Sequence, residues 1–447
     1  MKGKHLMTTK IDQPFLDETI QILQDYIRID TTNPPGNETE AAKYLAEILK
    51  REGFTPLIEE SAPGRANLIA TLQGKGAAKP IVLLNHMDVV PAEAEKWTVP
   101  PFSGEIRDGY VYGRGTIDMK GMGVLELMAL IYLKRKGIVP DQDLIFLAVA
   151  DEETGGVMGA KWVLDHHPEL LDIQGVINEG GGGVIHEEKR WYEVSTSQKV
   201  ICQTRFTVTG EGGHASVPKK KTAVTTLIEA LDRLRRHTFP YKLIPTVKEY
   251  FRRVAPLQKE AWQPVFADIE GAVEKNDSIL EAIMEDPGYH SMTHDTAAIT
   301  VLQAGEKVNV VPTEATARVD CRLVPGTSPE TFLGELRRIV DLPDVNIEAT
   351  FTGVDNPPSS HDTPLFHAIE KAVVQHDPGC IVTPHLVPGA TDSRYFRAAG
   401  INCYDFIPFR MTVEEHMRIH GIDERISIEN MKFGVEMMID ILLNLQA

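Results

Sequence analysis

His86 and Asp88 stand at the end of the apolar run IVLLNHMD and share a face if that run is a strand, since side chains two apart point the same way. Asp118 lies in GRGTIDMKG, a glycine-flanked turn that opens a helical stretch. Glu152 and Glu153 close DLIFLAVADEE; as neighbours on an extended backbone they point apart and can do two different jobs. Glu179 closes GVINE before four glycines, and His420 lies in RIHGIDERI. Singly, each has an ordinary explanation as a hydrogen-bonded imidazole, a turn former or a solvated acid. Together, carboxylates converging at one end of a sheet would repel one another by several kcal/mol per close pair in a partly buried site. Cations relieve that repulsion. Two imidazoles among carboxylates suit Zn²⁺, with Mn²⁺ or Co²⁺ as alternatives. Two such ions need a bridging ligand and a separation of ~3.5–4 Å.

The elements that must position these groups alternate. Apolar spacing predicts helices over 14–29, 38–53, 120–137 and about 157–167. NLIATL, IVLLNHMDVV and DLIFLAVADEE read as strands, the last two apolar enough to be buried on both faces. GVINEGGGG reads as a short strand running into a glycine loop, which would leave room beside the acids for a bulky substrate group. Near residue 198 the texture changes to half-exposed strands (199–213, 296–303, 308–311, 314–323, VNIEATFTG) and amphipathic helices, one opened by Ser328. Residues 238–290 show no assignable pattern, and 361–447 return to the first style. The expected fold is α/β: a mixed, mostly parallel sheet flanked by helices, made from 1–198 and 353–447, with an α+β domain at 199–352 inserted. In such sheets ligand sites lie beyond the carboxyl ends of strands, where these acids and imidazoles fall.

At 447 residues the chain is long enough for two domains, and 42% hydrophobic with 25% charged residues is ordinary for a globular protein. With 46 Lys+Arg against 64 Asp+Glu, the net charge of −18 argues against nucleic acid and against an anionic membrane surface. No apolar run reaches the ~18 residues of a membrane span. Cys202, Cys321, Cys380 and Cys403 form no CxxC pair, so a reducing, cytoplasmic setting is expected. The opening MKGKHLMTTK lacks the apolar segment of a secretory signal; Met7 reads as the natural start, leaving residues 1–6 aside.

HMDVVP (86–91), GRGTIDMKG (113–121), ADEETGG (150–156), INEGG (177–181), GEGGHASVP (210–218) and RIHGIDE (418–424), in that order, resemble the M20 family of zinc metallopeptidases, which includes aminoacylases, desuccinylases and carboxypeptidase G2-like enzymes. The resemblance implies a di-zinc, zinc-exopeptidase-like catalytic domain with an inserted lid that forms a homodimer. Asp118 would bridge two ions, His86 and Glu179 completing one, Glu153 and His420 the other. Glu152 would be the general acid/base, and Asp88 would orient His86. The Asp118–Met119 peptide would be cis. His214 would reach the partner's site across the dimer and stabilise the oxyanion. Asn309, Arg322, Gly389, Thr391, Asp392 and Arg394 match substrate-contacting positions, an Arg fork being suited to a carboxylate.

Two positions depart from the family's commoner pattern: Glu179 stands where many relatives have Asp, and His294 where many have Arg. The long lid favours the aminoacylase and vacuolar-type carboxypeptidase branch over short-lid desuccinylases. The expected substrate is therefore an N-acyl amino acid or small peptide with a free carboxylate. The alternative is a catalytically silent metal-binding relative, against which a retained Glu152 argues.

Overall fold

A computed structural model describes residues 8–217 and 219–445; Met7, the residues before it and Pro218 lie outside these. The chain divides into two compact units: Met1–Thr196 with Pro358–His385 and Thr391–Ala447, and Ser197–Pro357 with Leu386–Ala390.

The first unit is built on an eight-stranded mixed sheet. Its order is Leu57–Ala62, Arg65–Leu72, Gln142–Val149, Ala78–His86, Gly175–His186, Cys403–Thr412, Lys189–Gln198 and Ile381–Val387. The four strands from Gln142–Val149 to Cys403–Thr412 run parallel. Two of them are buried on both faces, as their unbroken apolar sequence predicts. Ile81 and Leu83, with Leu144, Phe146 and Ala148, enter a large core beneath one face. Val82 and Leu84, with Ile145, Leu147 and Val149, enter a smaller core on the other. The larger core is closed by Gln13–Ile27, Glu38–Arg51, Lys120–Arg135, Pro364–His376 and Ile428–Asn444; the smaller by Ala160–His166 and Ser393–Ala398. Lys120–Arg135 is apolar nearly all round because it packs against both Gln13–Ile27 and Ile428–Asn444. The helix expected at 157–167 is the shorter Ala160–His166.

The glycine segment departs from expectation. Gly175–His186 is one continuous strand through all four glycines and turns into a hairpin with Lys189–Gln198. The glycines are there for close approach. A Cβ on Gly181 would lie 2.1 Å from the Glu193 carbonyl oxygen, and one on Gly183 2.7 Å from the Tyr192 ring. They let the strand lie close against its neighbours in the sheet. The register against Cys403–Thr412 jumps from Asn178 to Gly181, so Glu179 and Gly180 bulge out of the ladder. Gly180 takes φ +140°, and a side chain there would meet Asp405.

The second unit is a four-stranded antiparallel sheet in the order Thr296–Ala304, Glu314–Leu323, Val200–Thr209, Val345–Thr352. Alternate residues face a core shared with the helices Ala223–Arg236 and Pro329–Val340. Ser328 caps the second of these through the Thr331 N–H at 3.1 Å. The unassigned 238–290 stretch holds most of five short helices between Pro245 and Thr293, gathered around Phe251, Phe266 and Tyr289. Among the described residues no helix is long and apolar enough to cross a membrane, and the four cysteines are free.

Candidate metal centre

Three adjacent parallel strands deliver four of the expected groups, three of them at or just past carboxyl ends and one from a bulge within its strand. Ala78–His86 ends on His86, Gln142–Val149 is followed by the turn of Glu152 and Glu153, and the bulge in Gly175–His186 presents Glu179. Asp118 and His420 come from loops. Their positions meet: the two oxygens of Asp118 face different imidazoles, Oδ1 lying 3.0 Å from His86 Nε2 and Oδ2 3.0 Å from His420 Nε2. Glu179 Oε1 is 3.4 Å from His86 Nε2, and Glu153 Oε2 is 3.3 Å from His420 Nε2. Glu153 Oε1 is buried with no hydrogen-bond partner among the described residues. Two triads, His86–Glu152–Glu179 and His86–Asp118–Glu153, place one donor atom each within 4.8 Å of one another, close enough to hold an ion. The Asp118–Met119 peptide is cis.

The cluster is electrostatically crowded. Burial, reinforced by the charge on Asp118, pushes Glu179 up to about 8. Burial likewise lifts Glu152 well above the carboxylate range, opposed by Arg394 and aided by Glu179. Burial also raises Glu153, with the Asp118 charge adding to it. Burial would raise Asp118 too, but hydrogen bonds from His420 and His86 outweigh it and hold the group low. Hydrogen bonds to Asp118 and Glu153 raise the half-exposed His420 to about 10. Acids pushed up beside imidazoles that share their charge form a cage calling for added positive charge.

Asp88 is fully buried, and its relation to His86 runs mainly through the main chain. His86 Nδ1 lies 2.9 Å from the Asp88 carbonyl oxygen and 3.5 Å from its Oδ1. The Asp88 carboxylate instead accepts the main-chain N–H groups of Glu152 and Glu153, each at 3.1 Å, and the Asn33 amide at 2.8 Å. Asn33 also donates to Thr154 Oγ1 at 2.9 Å.

Arg394, buried, sets Nη1 3.5 Å from Glu152 Oε1 and Nη2 3.5 Å from Asp392 Oδ1. Burial, opposed by the Arg394 charge, pushes Asp392 up to about 6. Thr391 Oγ1 lies 3.4 Å from Asp405 Oδ2. His214, Asn309, Arg322 and Gly389 belong to the second unit. There His214 pairs in register with Val310, and the Ala215 N–H donates to the Asn309 carbonyl at 3.1 Å, so those two expected residues are neighbours. Arg322 Nε is bound to Asp320 at 2.7 Å on its own strand.

Sequence reasoning passed over Asn33, Arg114 and Glu424. The last two lie inside GRGTIDMKG and RIHGIDE, so their signal is a charged residue at a fixed offset from an expected ligand.

Residues 82–444 match peptidase family M20/M25/M40. The chain is 29% identical over 457 residues to an N-fatty-acyl-amino acid synthase/hydrolase PM20D1 of Xenopus tropicalis, covering 98% of this chain and 88% of that one. It is 29% identical over 434 residues to a probable carboxypeptidase S-like 2 of Dictyostelium discoideum, covering 92% and 82%. The fold is similar to that of an M20 family metallo-carboxypeptidase, Sso-CP2, of Sulfolobus solfataricus, with a TM-score of 0.75 at 19% identity over 96% of this chain and 99% of that one. With strand ends, bulge and loops converging on one acid and imidazole cluster, the chain belongs to peptidase family M20/M25/M40 and is a hydrolase of that family.

Proposed function

We propose that the protein is a di-zinc amidohydrolase that cleaves an N-acyl amino acid, or a small peptide with a free carboxylate. The observation that carries this reading is the placement of one imidazole against each oxygen of Asp118, 3.0 Å away in both cases. Tetrahedral ligands at ~2.0 Å from a zinc ion lie roughly 3.3 Å from one another. The spacings from 3.0 to 3.4 Å within His86–Asp118–Glu179 and within Asp118–Glu153–His420 fit that edge. The partnerless Glu153 Oε1 fits the same purpose. Zinc is the assignment favoured by the mixed nitrogen and oxygen donors, with cobalt or manganese as substitutes.

When bound, such a pair lowers the proton affinity of water and polarises a carbonyl. The residues of this chain do the rest. Glu152, raised by burial, takes the proton of the attacking water and returns it to the leaving amine. Asp88 holds the backbone from which Glu152 and Glu153 diverge. Arg394, in the same unit as the cluster, holds Glu152 in place and offers a positive group to substrate. The acyl amino acid named for the PM20D1 relative and the carboxypeptidase named for the Dictyostelium relative both support a substrate with a carboxylate beside the scissile amide.

The reading includes a homodimer through the second unit, with His214 acting in trans. The edge strand Thr296–Ala304, with exposed Ile299, Val301 and Leu302, supports such pairing. A reducing, cytoplasmic compartment completes it, supported by four free cysteines.

A panel of N-acyl amino acids and dipeptides, run on zinc-, cobalt- and manganese-loaded protein, tests the activity. Turnover of one class with two metals per chain is the expected result. Two bound metals without turnover of any member would favour the silent relative instead.

A further inference from the structure

Glu424 touches none of the ligand atoms described above, yet it is a fully buried carboxylate beside the site. A buried charge is tolerated when its lone pairs are satisfied, and here all the donors come from one turn. Oε1 accepts the main-chain N–H groups of Ile117 at 2.8 Å and Asp118 at 3.1 Å. Oε2 accepts the Gly115 N–H at 3.1 Å and Arg114 Nη1 at 2.7 Å. The Glu424 carbonyl takes the Gly113 N–H at 2.9 Å. The turn that carries Asp118 is thus wrapped around a single side chain.

The same pair reaches the other ligand. Arg114 Nη2 donates to the His420 carbonyl oxygen at 3.1 Å. His420 sits at φ +60°, a left-handed conformation that a residue with a side chain holds only when its surroundings impose it. Its imidazole is half exposed, so side-chain packing alone does not fix it. Asp423 ties down the same loop, accepting the N–H and hydroxyl of Thr98 at 2.8 and 2.6 Å.

We infer that the buried Glu424–Arg114 pair is a positioning device that sets the Asp118 turn and the His420 loop at the spacing a second metal ion needs. The inference rests on the two-metal reading above. His86 at its strand end and Glu179 on its bulge are held independently of Glu424, so the half of the site they share with Asp118 keeps two of its three groups in place. The Asp118 turn loses the anchors at the Ile117 and Asp118 N–H groups and His420 its hold, so the half they share with Glu153 loosens at two of its three groups.

Metal titration of the full chain with cobalt, read by visible absorption and by elemental analysis after desalting, tests this. Wild-type protein should take two ions. Glu424→Gln, whose NH₂ group must face two of the four donors whichever way the amide turns, should keep the first ion within about twofold and bind the second at least about tenfold more weakly. Its cobalt spectrum should reduce to that of one site. Arg114→Lys keeps the charge against Glu424 but loses the His420 bond, and covers the case in which Glu424→Gln fails to fold. It should weaken the second ion several-fold. Two ions bound by either folded variant with wild-type affinity and spectrum would overturn the inference and leave the two-metal reading standing. Wild-type protein binding fewer than two ions would overturn both.

Discussion

Asp88 Oδ1 accepts the main-chain N–H of Glu152 at 3.1 Å, so the expected base is set by its backbone. The other Asp88 oxygen serves Glu153 and Asn33. Asp88→Asn leaves one acceptor oxygen for several donors. It should lower kcat by about 10–100-fold, a cost typical of groups that orient metal ligands. Asn33→Ala, which removes only one contributor, should cost less. Steady-state kinetics on both variants checks the order.

Glu152→Gln keeps the shape of the side chain and removes its capacity to take a proton. With general acid/base work worth about 10²–10⁴-fold, kcat should fall by that factor while zinc content per chain stays at two. Loss of metal along with activity would instead make Glu152 a ligand, as its closeness to His86 and Glu179 permits.

Gly181→Ala tests why the glycine run exists. The added methyl would press on two main-chain oxygens, that of Glu193 at 2.1 Å and that of Asp405 at 2.8 Å, neither of which can swing away. A loss of about 1–3 kcal/mol in denaturant stability is expected, with activity also reduced because Glu179 rides on the same bulge.

Part of this cluster is legible because His86, Glu152 and Glu153 follow buried strands. The apolar runs before His86 and Glu152 announce buried strands, and acids after such runs announce a ligand site. What stayed hidden works through the main chain. Glu424 holds Asp118 by its N–H, a contact no residue type advertises. The glycines after Glu179 have the composition of a loop, and only the neighbouring Glu193 and Asp405 backbones show why a strand needs them. Between 245 and 293 the helices are five to ten residues long, too short for periodicity to separate from noise.

Glu126 gives a prediction on pH. It is wholly buried in the helix Lys120–Arg135, with Asn85 Nδ2 donating to Oε2 at 2.8 Å and Oε1 lacking a partner among the described residues. Burial, only partly offset by Asn85, pushes its carboxyl well above the usual range. The folded protein therefore keeps this proton to a higher pH than the unfolded chain, which releases it near the ordinary glutamate value. Between those two values the folded state binds more protons, so stability falls as pH rises. Glu126→Gln removes that slope. Thermal melts from about pH 5 to about pH 8 should decline less for the variant.

Chelation should expose the strain of the acid cluster. An ion that binds only the folded state stabilises it by about 2.7 kcal/mol at a hundredfold excess over Kd. Exhaustive dialysis against chelator should lower Tm by several degrees, and added zinc should restore it. An unchanged Tm would mean that the cluster of Glu179, Asp118 and Glu153 tolerates its own repulsion.

The first unit is interrupted by the second, and its acids precede that interruption whereas His420 and Glu424 follow it. A ribosome therefore exposes Asp118, Glu152, Glu153 and Glu179 long before the groups that complete their surroundings exist. The nascent protein carries these acids before His420 and Glu424 exist, so under the two-metal proposal the ion assigned to His420 can be caged only after late translation.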